Sequence, residues 1–170
     1  MKTKKMQVEK GYEKRLERYY DELKWLYMEL YPEQWDQFEN LLYRMQKAYH
    51  ERKQNLKKLD EMRVKDADWY KKSELLGMML YTDAFAENLN GVKKRLDYIE
   101  SCQVNYLHLM PLLASPKGRS DGGYAVADFR SVQPELGTMA ELENLTDACH
   151  KRNICVCLDF VMNHTSEEHE

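Results

Sequence analysis

The residues that could do chemistry crowd toward the end of the chain. An apolar run, Ile154-Cys155-Val156-Cys157-Leu158, leads into Asp159-Phe-Val-Met-Asn163-His164, and Thr165, Ser166, Glu167, Glu168 and His169 follow at once. A metal is the first chemistry to weigh. His164 and His169 stand in H-x4-H spacing with Glu167 and Glu168 between them. That is not the H-E-x-x-H arrangement that puts two imidazoles on one helix face, so no metal and no cofactor is assigned. Asn144-Leu-Thr146 and Asn163-His-Thr165 match a glycosylation sequon, a pattern that carries weight only behind a secretory leader.

A second concentration lies at Pro111 to Thr138, PLLASPKGRSDGGYAVADFRSVQPELGT. It runs over 25 residues with no clear periodicity. Loops of that length inside compact domains are functional or disordered. This one holds Asp, Tyr, Phe and Val rather than a solvating mix, so it reads as an ordered, working loop. Gly122 and Gly123 suit a backbone turning tightly beneath a ligand.

The elements that must position these residues follow from periodicity. From Tyr12 to Tyr31 apolar residues recur at helical spacing: Leu16, Tyr19/Tyr20, Leu23, Leu26/Tyr27, Leu30. Pro32 cannot continue a helix. A second helix is predicted from Glu33 to Leu59, with a stripe of Trp35, Phe38, Leu41/Leu42, Met45, Tyr49, Leu56 and Leu59. The two make an antiparallel hairpin, and the aromatic stripe reads as packing between helices rather than as a sugar platform or partner surface. A short third helix is predicted to start within Asp66 to Tyr70. The period then changes. Met78 to Tyr81 reads as a strand, Leu89 to Ser101 as a helix, Val104 to Leu109 as a strand, Met139 to Asn153 as a helix and Ile154 to Phe160 as a strand. Alternation of this kind argues for βαβ units, a parallel sheet and right-handed crossovers. It places the long loop, and the residues after Leu158, at strand C-terminal ends, where sites form in open parallel sheets and barrels. His108, inside the second strand, reads as a satisfied core histidine.

Composition bounds the alternatives. The 170 residues carry 26 basic and 29 acidic side chains, a net charge of −3, and a pI near 6.0. Nothing there points to nucleic acid or to an acidic membrane surface. The balance changes along the chain: residues 1–76 hold 18 basic and 15 acidic side chains, residues 77–170 hold 8 and 14. That asymmetry suggests two regions with different jobs. No apolar stretch reaches membrane-span length, and MKTKKMQVEKGYEK has no apolar run behind its basic residues. Cys102, Cys149, Cys155 and Cys157 lack CxxC spacing and read as reduced core residues of a cytoplasmic protein.

Asp159-Phe-Val-Met-Asn163-His164 resembles the first signature region of the α-amylase superfamily, glycoside hydrolase family 13, where D-x-x-x-N-H closes the third barrel strand. Asp121-Gly-Gly-Tyr124 and Gly137-Thr-Met resemble the second βα loop of its sucrose-acting members. The helical lead RYYDELKWLYMELYPEQWDQFENLL and Asp68-Trp-Tyr resemble the helical domain that amylosucrases carry ahead of the barrel. The resemblance implies an α/β chain: an N-terminal helical domain at 1–76, then at 77–170 the first three strands and two helices of a (β/α)8 TIM barrel. It also implies the activity of a longer parent, transfer of glucosyl from sucrose to an α-1,4-glucan with release of fructose. Sucrose hydrolysis, or action on another α-glucoside, is the alternative within the family. Such retaining chemistry needs a carboxylate nucleophile and an acid/base about 5–5.5 Å apart.

A full barrel takes roughly 250 residues, and 93 remain from Met78 onward. The expectation is therefore a truncated piece, inactive alone, with the catalytic carboxylates beyond its end and with open sheet edges that favour self-association. Its partners would be small-molecule or oligosaccharide substrates. By the same resemblance Asp121, Tyr124 and His164 bind substrate. Tyr124 offers its ring face, His164 reaches the glucosyl ring, and Asp121 is an acid at the pocket floor. Asp159, Asn163, Gly122 and Gly123 support the site. Tyr81-Thr-Asp83-Ala84-Phe85 departs from the family's more frequent Tyr-x-Asp-Arg-Phe. A rival of another class is a free-standing helical interaction module.

Overall fold

The structure is a computed structural model and describes residues 8–169. The basic opening, residues 1–7, and Glu170 lie outside them. The chain divides into two compact units, one ending at Trp69 and one beginning at Tyr70.

The first unit is helical. Helix α1 runs Lys10–Leu30 and α2 runs Trp35–Glu51. Pro32 ends α1 by its own chemistry: it disfavours the helical region for the residue before it, and Tyr31 sits at φ −131°, ψ 72°. The hairpin closes on aromatic rings. Phe38 is 1% exposed, with Tyr27 and Tyr20 at centroid distances of 5.2 and 6.0 Å. Tyr12 packs on Tyr49 and donates its hydroxyl to the Leu42 carbonyl at 3.1 Å. Leu41, Leu42, Leu56 and Leu59 of the stripe are half-buried, whereas Trp35, Tyr19 and Met45 depart from the expectation of helix packing and are exposed.

The predicted second helix also breaks. A third helix, α3 (Gln54–Lys65), begins after Arg52 and Lys53, both extended. The Arg52 guanidinium spans this corner and donates twice to Asp60, at 2.6 and 2.9 Å. Lys57 is buried and donates to both oxygens of Glu9, at 2.9 and 2.8 Å, and to the His50 carbonyl. In place of the helix predicted to start within 66–70 is a single 3-10 turn, Trp69–Lys71.

The second unit is a parallel sheet covered by helices. Strands β1 (Gly77–Leu80), β2 (Tyr106–Leu109) and, later in the chain, β5 (Cys155–Leu158) pair in parallel in the order β1-β2-β5. After β1 comes a short helix, α4 (Thr82–Ala86), which periodicity did not mark. The predicted helix 89–101 is split into α5 (Leu89–Lys94) and α6 (Leu96–Ser101) at Arg95. Gly91 is required where α4 meets α5, because a Cβ there would overlap the Ala86 carbonyl. Helix α7 (Met139–Lys151) starts on a capping box: the Thr138 hydroxyl accepts from the Glu141 N–H, and the Glu141 carboxylate accepts from the Thr138 N–H.

Leu89, Val92, Ile99, Leu107, Leu109, Leu145 and Cys149 are wholly buried in one apolar core. Each large apolar side chain buried there contributes roughly 1.5–3 kcal/mol. The long loop is not structureless. It holds β3 (Leu113–Ala114) and β4 (Asp128–Val132), an antiparallel pair outside the main sheet.

Candidate sugar-binding site

Side chains alternate across a strand. On β2 this sends Leu107 and Leu109 into the core and His108 to the opposite face. Parallel register sets Met79, His108 and Cys157 side by side across the three strands. His108 is therefore no core histidine, and that expectation is corrected. It lies on the face opposite the core, and Asp159, two residues beyond Cys157, follows on the same side. The His108 Nε2 is 2.8 Å from Asp159 Oδ1.

The loop supplies the third member. Asp121, Gly122 and Gly123 take left-handed φ values of 49°, 68° and 92° in succession. Gly123 has no substitute there, because a Cβ would come 2.7 Å from the Pro111 Cβ. The Ser120 carbonyl closes the turn, accepting the N–H groups of Gly123 at 3.0 Å and Ala125 at 2.9 Å. This delivers Tyr124 to Asp159, where its hydroxyl donates to Oδ2 at 2.7 Å.

The hydrogen bond to Asp159, with burial and the nearby charge adding to it, pushes the Tyr124 phenol up to about 12. The same bond, opposed by burial and helped by His108, holds the Asp159 carboxyl below its ordinary value. Both carboxylate oxygens thus accept a hydrogen bond, and the group stays ionised. A general acid in glycoside chemistry needs a raised pKa, so Asp159 is suited to holding its neighbours rather than to proton transfer.

The structure brings Tyr124 and Asp159 together and adds His108, which sequence reading missed. The side chains of Asp121, Asn163 and His164 make no hydrogen bond to these three among the described residues, and Asp121 meets Tyr124 only through its backbone carbonyl, which accepts the Tyr124 N–H at 3.3 Å. Asp121, Asn163 and His164 are exposed, and Asn163 Nδ2 lies 3.2 Å from His164 Nδ1. The segment after β5 is stitched to the loop instead. Ser166 N–H donates to the Val126 carbonyl at 2.8 Å, and His169 Nδ1 donates to the Ala127 carbonyl at 2.7 Å. The Phe129 ring packs against Phe160 and meets the edge of His169. A cleft of about 350 Å³ opens on the same loop, lined in part by Tyr81, Asp83, Pro111, Gly123 and Gln133.

The four thiols are free. Cys149 is wholly buried, and burial pushes its thiol up to about 11. Among the described residues no group of three or more His, Cys, Asp or Glu could hold a metal ion. Among them, too, no helix is long and apolar enough to cross a membrane.

Comparison with known proteins fits this geometry. The trehalose-6-phosphate hydrolase of Bacillus subtilis is 37% identical over 116 residues, 64% of this chain and 20% of that protein. The trehalose synthase/amylase TreS of Mycolicibacterium smegmatis is 39% identical over 110 residues, 62% of this chain and 18% of its own. The chain thus spans about a fifth of the length of these curated relatives. Among solved structures, Bacillus licheniformis trehalose-6-phosphate hydrolase superposes with a TM-score of 0.56 at 34% identity, over 60% of this chain and 19% of that one. A mutant of MutB in complex with the substrate sucrose superposes with a TM-score of 0.53 at 28% identity, over 56% and 18%. The partial parallel sheet and its helices therefore match the start of a TIM-barrel enzyme. Residues 79–170 match the family described as alpha amylase, catalytic domain, and the chain belongs to that family, glycoside hydrolase family 13.

Proposed function

We propose that the chain is the N-terminal part of a retaining, sucrose-acting α-transglucosidase of the amylosucrase type. Its residues would form the donor end of the pocket. In this reading the Tyr124 ring receives the glucosyl face, and Asp121 and His164 hydrogen-bond its hydroxyls. Gly122 and Gly123 shape the loop beneath, and Asp159 and Asn163 support it. The observation that carries the reading is the Tyr124–Asp159 hydrogen bond. It ties the DGGY loop to the D-x-x-x-N-H strand end, the two segments that resemble sucrose-acting members of the family. The relative solved with sucrose, alike over 56% of this chain, supports the same substrate. The nucleophile and the acid/base would come from later strands. Action on another α-glucoside is the second reading, favoured by the trehalose-6-phosphate hydrolases.

The test begins by reading the bases after the Glu170 codon and expressing the whole open frame. With sucrose, the expected products are fructose in excess of free glucose and an iodine-staining glucan. Equal fructose and glucose would move the assignment to sucrose hydrolysis. Inertness toward sucrose with turnover of a trehalose derivative would overturn it. A stop codon directly after Glu170, in a stable protein that turns over no glycoside, would favour the interaction module.

A further inference from the structure

We propose that His108 is a positioning residue that acts through Asp159 to fix the plane of the Tyr124 ring for a stacked glucosyl donor, an inference that rests on the function proposed above. The argument starts from proton bookkeeping. Asp159 is ionised and can only accept, so the bond at 2.8 Å requires an N–H on His108 Nε2. The bond at 2.7 Å likewise requires the Tyr124 hydroxyl to donate. The phenol proton is thereby committed to Asp159. The ring then offers a sugar its face, with the phenol oxygen free only to accept.

A carboxylate held by one donor can swivel about its terminal torsion, which is broad and soft. Held on both oxygens by donors from different elements, it is fixed. The second donor matters because of where it stands. His108 lies in the middle strand of the sheet, in register with Met79 on one side and Cys157 on the other. Its backbone is among the best braced in the unit, whereas Tyr124 rides on a loop of left-handed residues. His108 thus refers the loop's aromatic ring to the sheet. The His108 and Asp159 side chains are 30% and 22% exposed, so water competes for this bond less than it would at an open surface. Ring alignment of this kind acts on ground state and transition state alike, so its loss raises KM more than it lowers kcat.

The test uses the complete protein and three variants. In His108→Gln the side-chain amide places an N–H close to the position of Nε2. In His108→Asn the amide is one carbon shorter and does not reach Asp159. His108→Leu keeps bulk and removes the donor. His108→Gln should retain a KM for sucrose near wild type. His108→Asn and His108→Leu should raise it about tenfold, the size of one lost charge-assisted hydrogen bond, with a smaller change in kcat. The ring resonances of Tyr124 should shift in the Asn and Leu variants and not in the Gln variant. Equal KM values for Gln and Asn, or an unmoved Tyr124 signal in His108→Asn, overturn the proposal. If His108→Leu does not fold, the Gln and Asn pair decides alone. If the wild type ignores sucrose, the functional reading fails. The Tyr124 resonances, which need no substrate, then still decide the role of His108.

Discussion

Carboxylates are held in opposite ways in the two units. In the helical unit Asp60 is gripped by Arg52 and lies 3.8 Å from Arg15. Glu9 is gripped by Lys57 and His50, with the Lys57 hydrogen bond the largest cause holding its carboxyl below its ordinary range. Each of these carboxylates meets a permanent cation, Arg52 for Asp60 and Lys57 for Glu9, and its charge goes into closing a helix corner or a helix start. In the sheet unit Asp159 meets a phenol and an imidazole. Its charge orients the two groups that it links, a loop phenol and a strand imidazole. The first arrangement serves the fold. The second leaves an aromatic face, a hydroxyl and an ionised carboxylate at the strand ends, which is what a polyhydroxyl ligand can use.

Substitutions can break or sharpen that contrast. The largest loss is expected from Phe38→Ala, which empties the ring cluster of the helical unit and should cost about 3–5 kcal/mol in denaturant unfolding. Leu107→Ala, in the sheet core directly behind His108, should cost about 2–5 kcal/mol. Both should exceed any change at Asp159, because cores rather than the orienting contact hold the units together. Thr138→Ala removes one half of the α7 capping box and should cost about 1 kcal/mol, read as a shift in the unfolding midpoint.

The orienting contact should show itself in pH instead. Asp159 has a lowered pKa, so its contribution is present above about pH 4 and is lost as pH falls through its folded value. Tyr124 has a raised pKa, so its contribution is present below about pH 10 and is lost as pH rises through about 12. The Tyr124 ring signal should therefore hold constant across the neutral range and move at both extremes. The smallest effect is expected at the helix corner. Arg52→Lys replaces a two-pronged grip by a point charge and should cost no more than about 1 kcal/mol, less in high salt.

The legibility of each region in the sequence follows from the range of the forces that shape it. Strands β1, β2 and β5 and helices α1 and α7 announce themselves through local periodicity. The corner at Arg52–Lys53 does not, because the apolar stripe runs on through Leu56 and Leu59 while the break depends on Asp60, eight residues away. The pair β3–β4 is short, lies outside the main sheet and lacks alternation. His108 was misread for a related reason. Its alternation with Leu107 and Leu109 could have marked it as facing away from the core. Its partner, however, lies 51 residues on and is found only through the register of the β2–β5 crossover. The expected site residues divide the same way. Tyr124 and Asp159 meet within described structure, while Asp121, Asn163 and His164 stand exposed at its rim.

The most direct test of the account is a crystal structure of the complete protein, in an inactive variant, with sucrose bound. The account predicts the glucosyl ring stacked on the face of Tyr124, the Tyr124 hydroxyl still donating to Asp159, and His164 and Asp121 turned toward the sugar hydroxyls. A glucosyl ring seated elsewhere, or a Tyr124 hydroxyl that leaves Asp159 to donate to the sugar, would contradict it.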